Sequence, residues 1–121
     1  MKGSRVVAVL AVLAGLVMAG GGAMKLAGQP GVVQEFGVLG LPAWFRMLVG
    51  TFEVIGGVLV VVPATIPAGS LILSTILVGA LWAHAVQGEW LQAVPALVLL
   101  PLFLTIFRVN RGRAIHLLGG A

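Results

Sequence analysis

The chain of 121 residues has few side chains able to do chemistry: three acidic groups, two histidines and seven lysines and arginines. Four of them, Lys25, Arg46, Glu53 and His84, stand inside or at the edges of long apolar runs. Glu53 is the sharpest anomaly. It lies nine residues beyond Trp44, about 14 Å along a helix axis at ~1.5 Å per residue. Arg46 precedes it by seven residues, so a helix would set both on one face together with Gly50 and Gly57. A carboxylate in such a place can accept or relay a proton. Lys25 or Arg46 would offset its charge, and His84 would hydrogen-bond a ligand carbonyl. Each residue also has a plainer reading. Lys25 can snorkel to headgroups and Arg46 can serve as an interface anchor. His84 can hydrogen-bond between helices, and pairing of Glu53 with Lys25 or Arg46 can simply hold helices in register. Lys25, Arg46, Glu53 and His84 are the candidate ligand-binding residues. No pattern assigns a catalytic residue, so at this level the chain is neither an enzyme nor excluded from being one.

Other chemistries are poorly served. With no cysteine, the chain has no thiolate metal site and no disulfide chemistry of its own. One histidine near one glutamate does not make a metal site, and none is expected. The absence of aspartate removes any Ser-His-Asp arrangement. Gly15 to Gly22 lie in an apolar helix rather than in a phosphate loop. His116 falls in a polar tail, where solvation accounts for it.

The elements that position these residues follow from composition. Sixty per cent of residues are apolar and eight per cent charged, against roughly 25% charged in soluble domains. Apolar runs at about 5–25, 43–62, 67–87 and 91–108 each approach the ~20 residues that cross a hydrocarbon core of ~30 Å. The expectation is one all-α domain, a membrane-embedded antiparallel four-helix bundle with short connections. Residues 29–41 read as an apolar loop at the interface or folded back on the bundle, and Pro63 to Pro67 as a tight reversal. Gly20-Gly21-Gly22 should weaken the first helix and mark a bend. An alternative start, a cleaved signal peptide, would leave three spans. Its apolar run, residues 6–24, exceeds the usual ~7–15 of such segments.

Charge orients the bundle. The net charge is +4, and Lys2, Arg5, Arg108, Arg111 and Arg113 cluster at the termini. Both termini are therefore expected in the cytoplasm of a multi-pass cell-membrane protein. Glu35, Glu89, Trp44, Trp82 and Trp90 fall on the other side, where tryptophans suit the headgroup region. The basic groups flank apolar spans instead of forming a face with interleaved aromatics, so no nucleic-acid partner is expected. All four candidates then fall in the outer half, in a pocket lined by three helices. Ser70 and Ser74 would continue the stripe of His84. Glu53 lies about 10 Å deeper than Lys25 along the axis, a gap that a tilt or break of the first helix would close.

At these residues the chain resembles the DoxX-like family of small four-helix membrane proteins. The resemblance rests on Ala23-Met24-Lys25-Leu26, on Leu41-Pro42-Ala43-Trp44, on Gly50 through Leu59 followed by Pro63, and on Gly79-Ala80-Leu81-Trp82-Ala83-His84. It implies a membrane bundle in which Lys25, Glu53 and His84 are recurrent polar positions. Founding members resemble quinone-linked sulfur oxidoreductase subunits, where DoxX-type chains partner DoxD-type ones. Related proteins resemble parts of oxidative-stress complexes or membrane adaptors. The functional expectation is a membrane subunit of a redox or detoxification system with a pocket for a quinone-like or small apolar ligand. A quinone is the one cofactor suggested, and electrons would come from a partner membrane or soluble redox subunit. Besides the lipid bilayer, a homo-oligomer is the other expected association. Two alternatives stand beside this: a non-catalytic adaptor or assembly factor, and a small oligomeric transporter.

Overall fold

A computed structural model describes the backbone of residues 2–119 and the side chains of residue 3 and of 5–111. The side chains of Lys2, Arg113 and His116 lie outside the described residues. The order is α1 (Lys2–Ala27), α2 (Pro30–Val38), α3 (Ala43–Leu59), a 3-10 turn (Pro63–Thr65), α4 (Ile66–Val86) and α5 (Trp90–Gly119). No strand occurs among the described residues. The chain is an all-α membrane helical bundle. Three stretches are long and apolar enough to cross a membrane: Arg5–Ala27, Pro63–Val86 and Trp90–Arg111. The fourth long helix, α3, has 17 residues, about 26 Å. It reaches spanning length only together with α2, from which it is bent by 120°. Residues 60–62, expected to be helical, are not. Pro63 disfavours helical backbone at the residue before it, and Val62 is extended (φ −91°, ψ 118°). Thr65 Oγ1 then donates to the freed carbonyl of Leu59 at 2.7 Å.

Helix α1 packs on α3, α3 on α4, α4 on α5, and α5 returns to α1. The α1–α3 seam shows why these residues are small. A Cβ on Gly57 would sit 2.6 Å from the carbonyl oxygen of Gly15, and one on Gly22 would sit 2.6 Å from that of Gly50. The two glycines of each helix are seven residues apart and meet in reverse order, so the helices run antiparallel with backbones in contact. Close approach of this kind is how helices associate in lipid, where hydrophobic burial gives little drive between them. No break occurs at Gly20-Gly21-Gly22, and α1 is one helix. Packing of Gly22 against Gly50 and Val54 outweighs the weak helix propensity of glycine. Pro95 and Pro101 likewise lie inside a continuous α5.

The solid core occupies mainly the basic end, with Phe103, Leu73, Ile106 and Val60 among the most buried side chains. Helices α3 and α4 pinch there. A Cβ on Gly56 would meet Leu73 at 2.8 Å, and one on Gly69 would meet Val60 at 2.7 Å. At the tryptophan end three glycines at positive φ, Gly28, Gly40 and Gly88, terminate α1, α2 and α4. Each allows the next N–H to reach back to the carbonyl five residues earlier, as in Glu89 to His84 at 2.9 Å.

The segment expected as a loop is in fact the short helix α2. Pro30 stands in its first turn, and the Gln29 side chain accepts from the N–H of Val32 at 2.9 Å. Those two features start a helix over an apolar stretch that has no charge besides Glu35.

Candidate functional site

The four sequence-derived candidates separate into three environments. The first is a pair in the α1–α3 seam. Lys25 Nζ lies 2.7 Å from Glu53 Oε1, with side-chain exposures of 20% and 6%. The gap of about 10 Å along the axis is closed without a break in α1. Helical side chains lean toward their own N-terminus. In antiparallel helices Lys25 therefore leans toward the basic end and Glu53 toward the tryptophan end, each reaching for the other. Gly21 and Gly22 leave the room: a Cβ there would meet Glu53 Oε2 at 2.9 Å and Glu53 Cβ at 2.8 Å.

The second environment is the rim. His84 Nδ1 lies 3.2 Å from Glu89 Oε1 and its Nε2 lies 3.7 Å from Glu35 Oε1. His84 thus ties the end of α4 to α2 and to the α4–α5 turn, and it pairs with neither Glu53 nor Lys25. Sequence reasoning leaves Glu35 and Glu89 out of the site. Their signal is being the only other acidic residues, but the loop reading of 29–41 gives Glu35 no fixed place.

The third is Arg46. It shares a helix with Glu53 but does not pair with it. Its guanidinium donates to the Lys25 carbonyl at the end of α1, where a cation is favoured by the helix dipole. Arg46 is not among the residues lining the cavity that holds the other three candidates.

Lys25, Glu53 and His84 share one cavity of about 630 Å³, within the ~300–1,000 Å³ of ordinary ligand sites. Its floor is the Lys25–Glu53 pair with Ile72 and Ile76. Phe36, Phe45, Phe52 and Trp82 supply aromatic walls, and Glu35 and His84 stand at the rim. Ser70 and Ser74 do not extend it. Both are buried in α4 away from the cavity, and their hydroxyls pair with no described group. No cluster of three or more metal-ligating side chains occurs among the described residues.

The profile of the DoxX-like family matches residues 9–107, and this stretch holds every element that builds the cavity. The chain belongs to the DoxX-like family. No protein of curated function and no solved structure matches it. For this DoxX-like chain, then, the site is defined by its own geometry. A buried ion pair, whose donors and acceptors are only partly used by each other, faces an aromatic-walled space. The Lys25 ammonium carries three N–H donors and Glu53 takes one, so it can offer another to a carbonyl oxygen in the cavity.

Proposed function

We propose that this DoxX-like chain is a multi-pass protein of the cell membrane. It acts as the ligand-holding subunit of a redox or detoxification system, and its cavity takes a quinone-like ring. The observation that carries the reading is the Lys25–Glu53 pair in the floor of an otherwise aromatic and aliphatic cavity. Ionisable groups within spans are costly, about 2.5–3.5 kcal/mol each on insertion scales. A purely structural pair would gain more from complete enclosure than from lining a void. Lys25 donates to one ring oxygen, Glu53 accepts or relays a proton, and His84 at the rim is the second donor. Reduction of a quinone consumes two electrons and two protons. The chain's share is the protons and the orientation, and the electrons come from a partner redox subunit. The adaptor reading is less well supported, because Gly15, Gly22, Gly50 and Gly57 are used up in the chain's own α1–α3 seam and offer no face to another helix.

The test replaces the polar floor by an apolar one of similar volume, Lys25→Met with Glu53→Leu. In nanodiscs, a short-chain benzoquinone should quench tryptophan emission saturably, since Trp82 lines the cavity. The double variant should bind it at least tenfold more weakly, in line with the ~1.5–3 kcal/mol of a charge-assisted hydrogen bond. Its affinity for a plain aromatic hydrocarbon should be unchanged. Equal quinone affinity in the two proteins would remove the assignment.

The proposed orientation sets the end bearing Arg5, Arg108 and Arg111 in the cytoplasm and the end bearing Trp44, Trp82 and Trp90 outside. A reporter fluorescent only in the cytoplasm should glow when fused to the C-terminus and stay dark when inserted after Gly88. The reverse pattern would invert the topology.

A further inference from the structure

We infer that the cavity is loaded sideways from the bilayer, through a window between α3 and α4, by an amphiphile with a compact hydrogen-bond-accepting head and a long apolar tail that remains in the window. The inference rests on the proposed ligand-binding role and adds the class of ligand and its route.

Five cavity-lining residues decide it. Leu48 and Phe52 stand one turn apart on α3, and Thr75, Gly79 and Trp82 share one face of α4. All five line the cavity and all five are exposed. A wall whose lining residues are also on the outer surface is an opening. The α4 side of this opening lies inside the stretch Pro63–Val86, which is long and apolar enough to cross a membrane. It therefore faces acyl chains, running from mid-span up to the tryptophan level. Of the other lining residues only Glu35 on α2 is exposed. Toward the basic end α3 and α4 pinch at Gly56 and Leu73. Toward the tryptophan end α2 forms a roof with Val32, Phe36 and Leu39. That roof is held by Phe36 against Phe45, ring centres 6.5 Å apart, and by Glu35 beside His84.

The polarity of the lining sets the ligand. Polar groups occur at the floor (Lys25, Glu53) and under the roof (Glu35, His84), while the window is apolar. Its one hydroxyl, on Thr75, donates to the Leu71 carbonyl at 2.9 Å. A polar head is matched inside and a hydrocarbon tail is matched at the opening. A tail left in lipid gives up no burial, whereas entry over the roof would require a water-borne molecule to displace α2. Gly79 keeps the window wide: a Cβ placed there meets no atom within 4 Å.

The experiment uses the full chain in nanodiscs and two photoreactive quinones, one with a diazirine on the ring and one at the end of a ten-carbon tail. Only labelling that excess unlabelled long-chain quinone suppresses is scored. The ring probe should label residues around Lys25 and Glu53, and the tail probe should label Leu48, Phe52, Thr75 or Val78. Gly79→Phe, whose first side-chain carbon meets no atom within 4 Å, should keep the thermal stability of the parent and lower tail-probe labelling at least tenfold. Tail-probe labelling on Val32, Phe36 or Leu39 of α2 overturns the route and leaves the ligand site standing. Undiminished tail-probe labelling of a stably folded Gly79→Phe also overturns the route. Absence of competable labelling by either probe overturns both the route and the ligand reading.

Discussion

Gly57→Val is expected to unfold the α1–α3 half of the bundle, whereas Gly79→Val leaves stability unchanged. A first side-chain carbon on Gly57 would lie 2.6 Å from the Gly15 carbonyl oxygen, 2.9 Å from Ala19 Cβ and 3.0 Å from the Ala19 nitrogen. Two of these three neighbours are backbone, which cannot rotate away. The helices must separate, and all of the seam from Gly15 to Gly22 loses contact together. Overpacking typically costs about 1–3 kcal/mol and occasionally more. Here Gly57→Ala should cost about 2–3 kcal/mol and Gly57→Val more, since dispersion is the main attraction between helices in lipid. Steric-trap unfolding in bicelles measures it directly. Gly79→Val is the internal control, having open space where Gly57 has backbone. Equal stability of the two variants would mean that the seam is looser than these distances indicate. A valine at Gly57 also moves Glu53 away from Lys25, so quinone affinity should fall with stability.

Lys25→Met alone should destabilise the fold by about 3 kcal/mol, the low end of the ~3–5 kcal/mol for breaking a buried pair. The low end applies because Lys25 keeps a fifth of its side chain exposed while Glu53 keeps 6%. The loss comes from stranding a carboxylate between helices, not from the net worth of the pair. Adding Glu53→Leu should therefore recover most of it, to within about 1 kcal/mol of the parent. Strictly additive single changes in this double-mutant cycle would show that the two groups are not coupled. The same double variant tests quinone binding, so one protein reports both roles. Stability returns with the apolar floor, while quinone affinity does not.

The candidate site is partly legible in the sequence. Glu53 stands out because a carboxylate far from any span end must have company. Lys25 and His84 stand out as the other polar groups in or beside the spans. What spacing along one helix does not convey is direction. Arg46 shares a face with Glu53 in sequence, yet it turns to the open end of α1. Lys25 sits about 10 Å too high by axial rise alone, yet it reaches because antiparallel helices aim their side chains at each other. The rim is hidden because residues 29–41 have mixed local signals. Pro30 and Gly31 read as turn, whereas Pro30 in the first turn, the Gln29 cap and the shelter of the bundle make α2 a helix.

By itself, the sequence determined that this is an all-α chain for lipid, because nothing in a run of twenty apolar residues can satisfy its backbone except a helix. It also determined that Glu53 needs a partner, and which end is basic and which carries tryptophan. Tertiary structure alone decided the partner, the continuity of α1 through three glycines, the short reach of α3 and the opening between α3 and α4. The physical reason is that composition sets the free energy of transfer into the membrane residue by residue. Contact between two helices depends on which small faces meet, and that is a property of the pair and of neither helix alone.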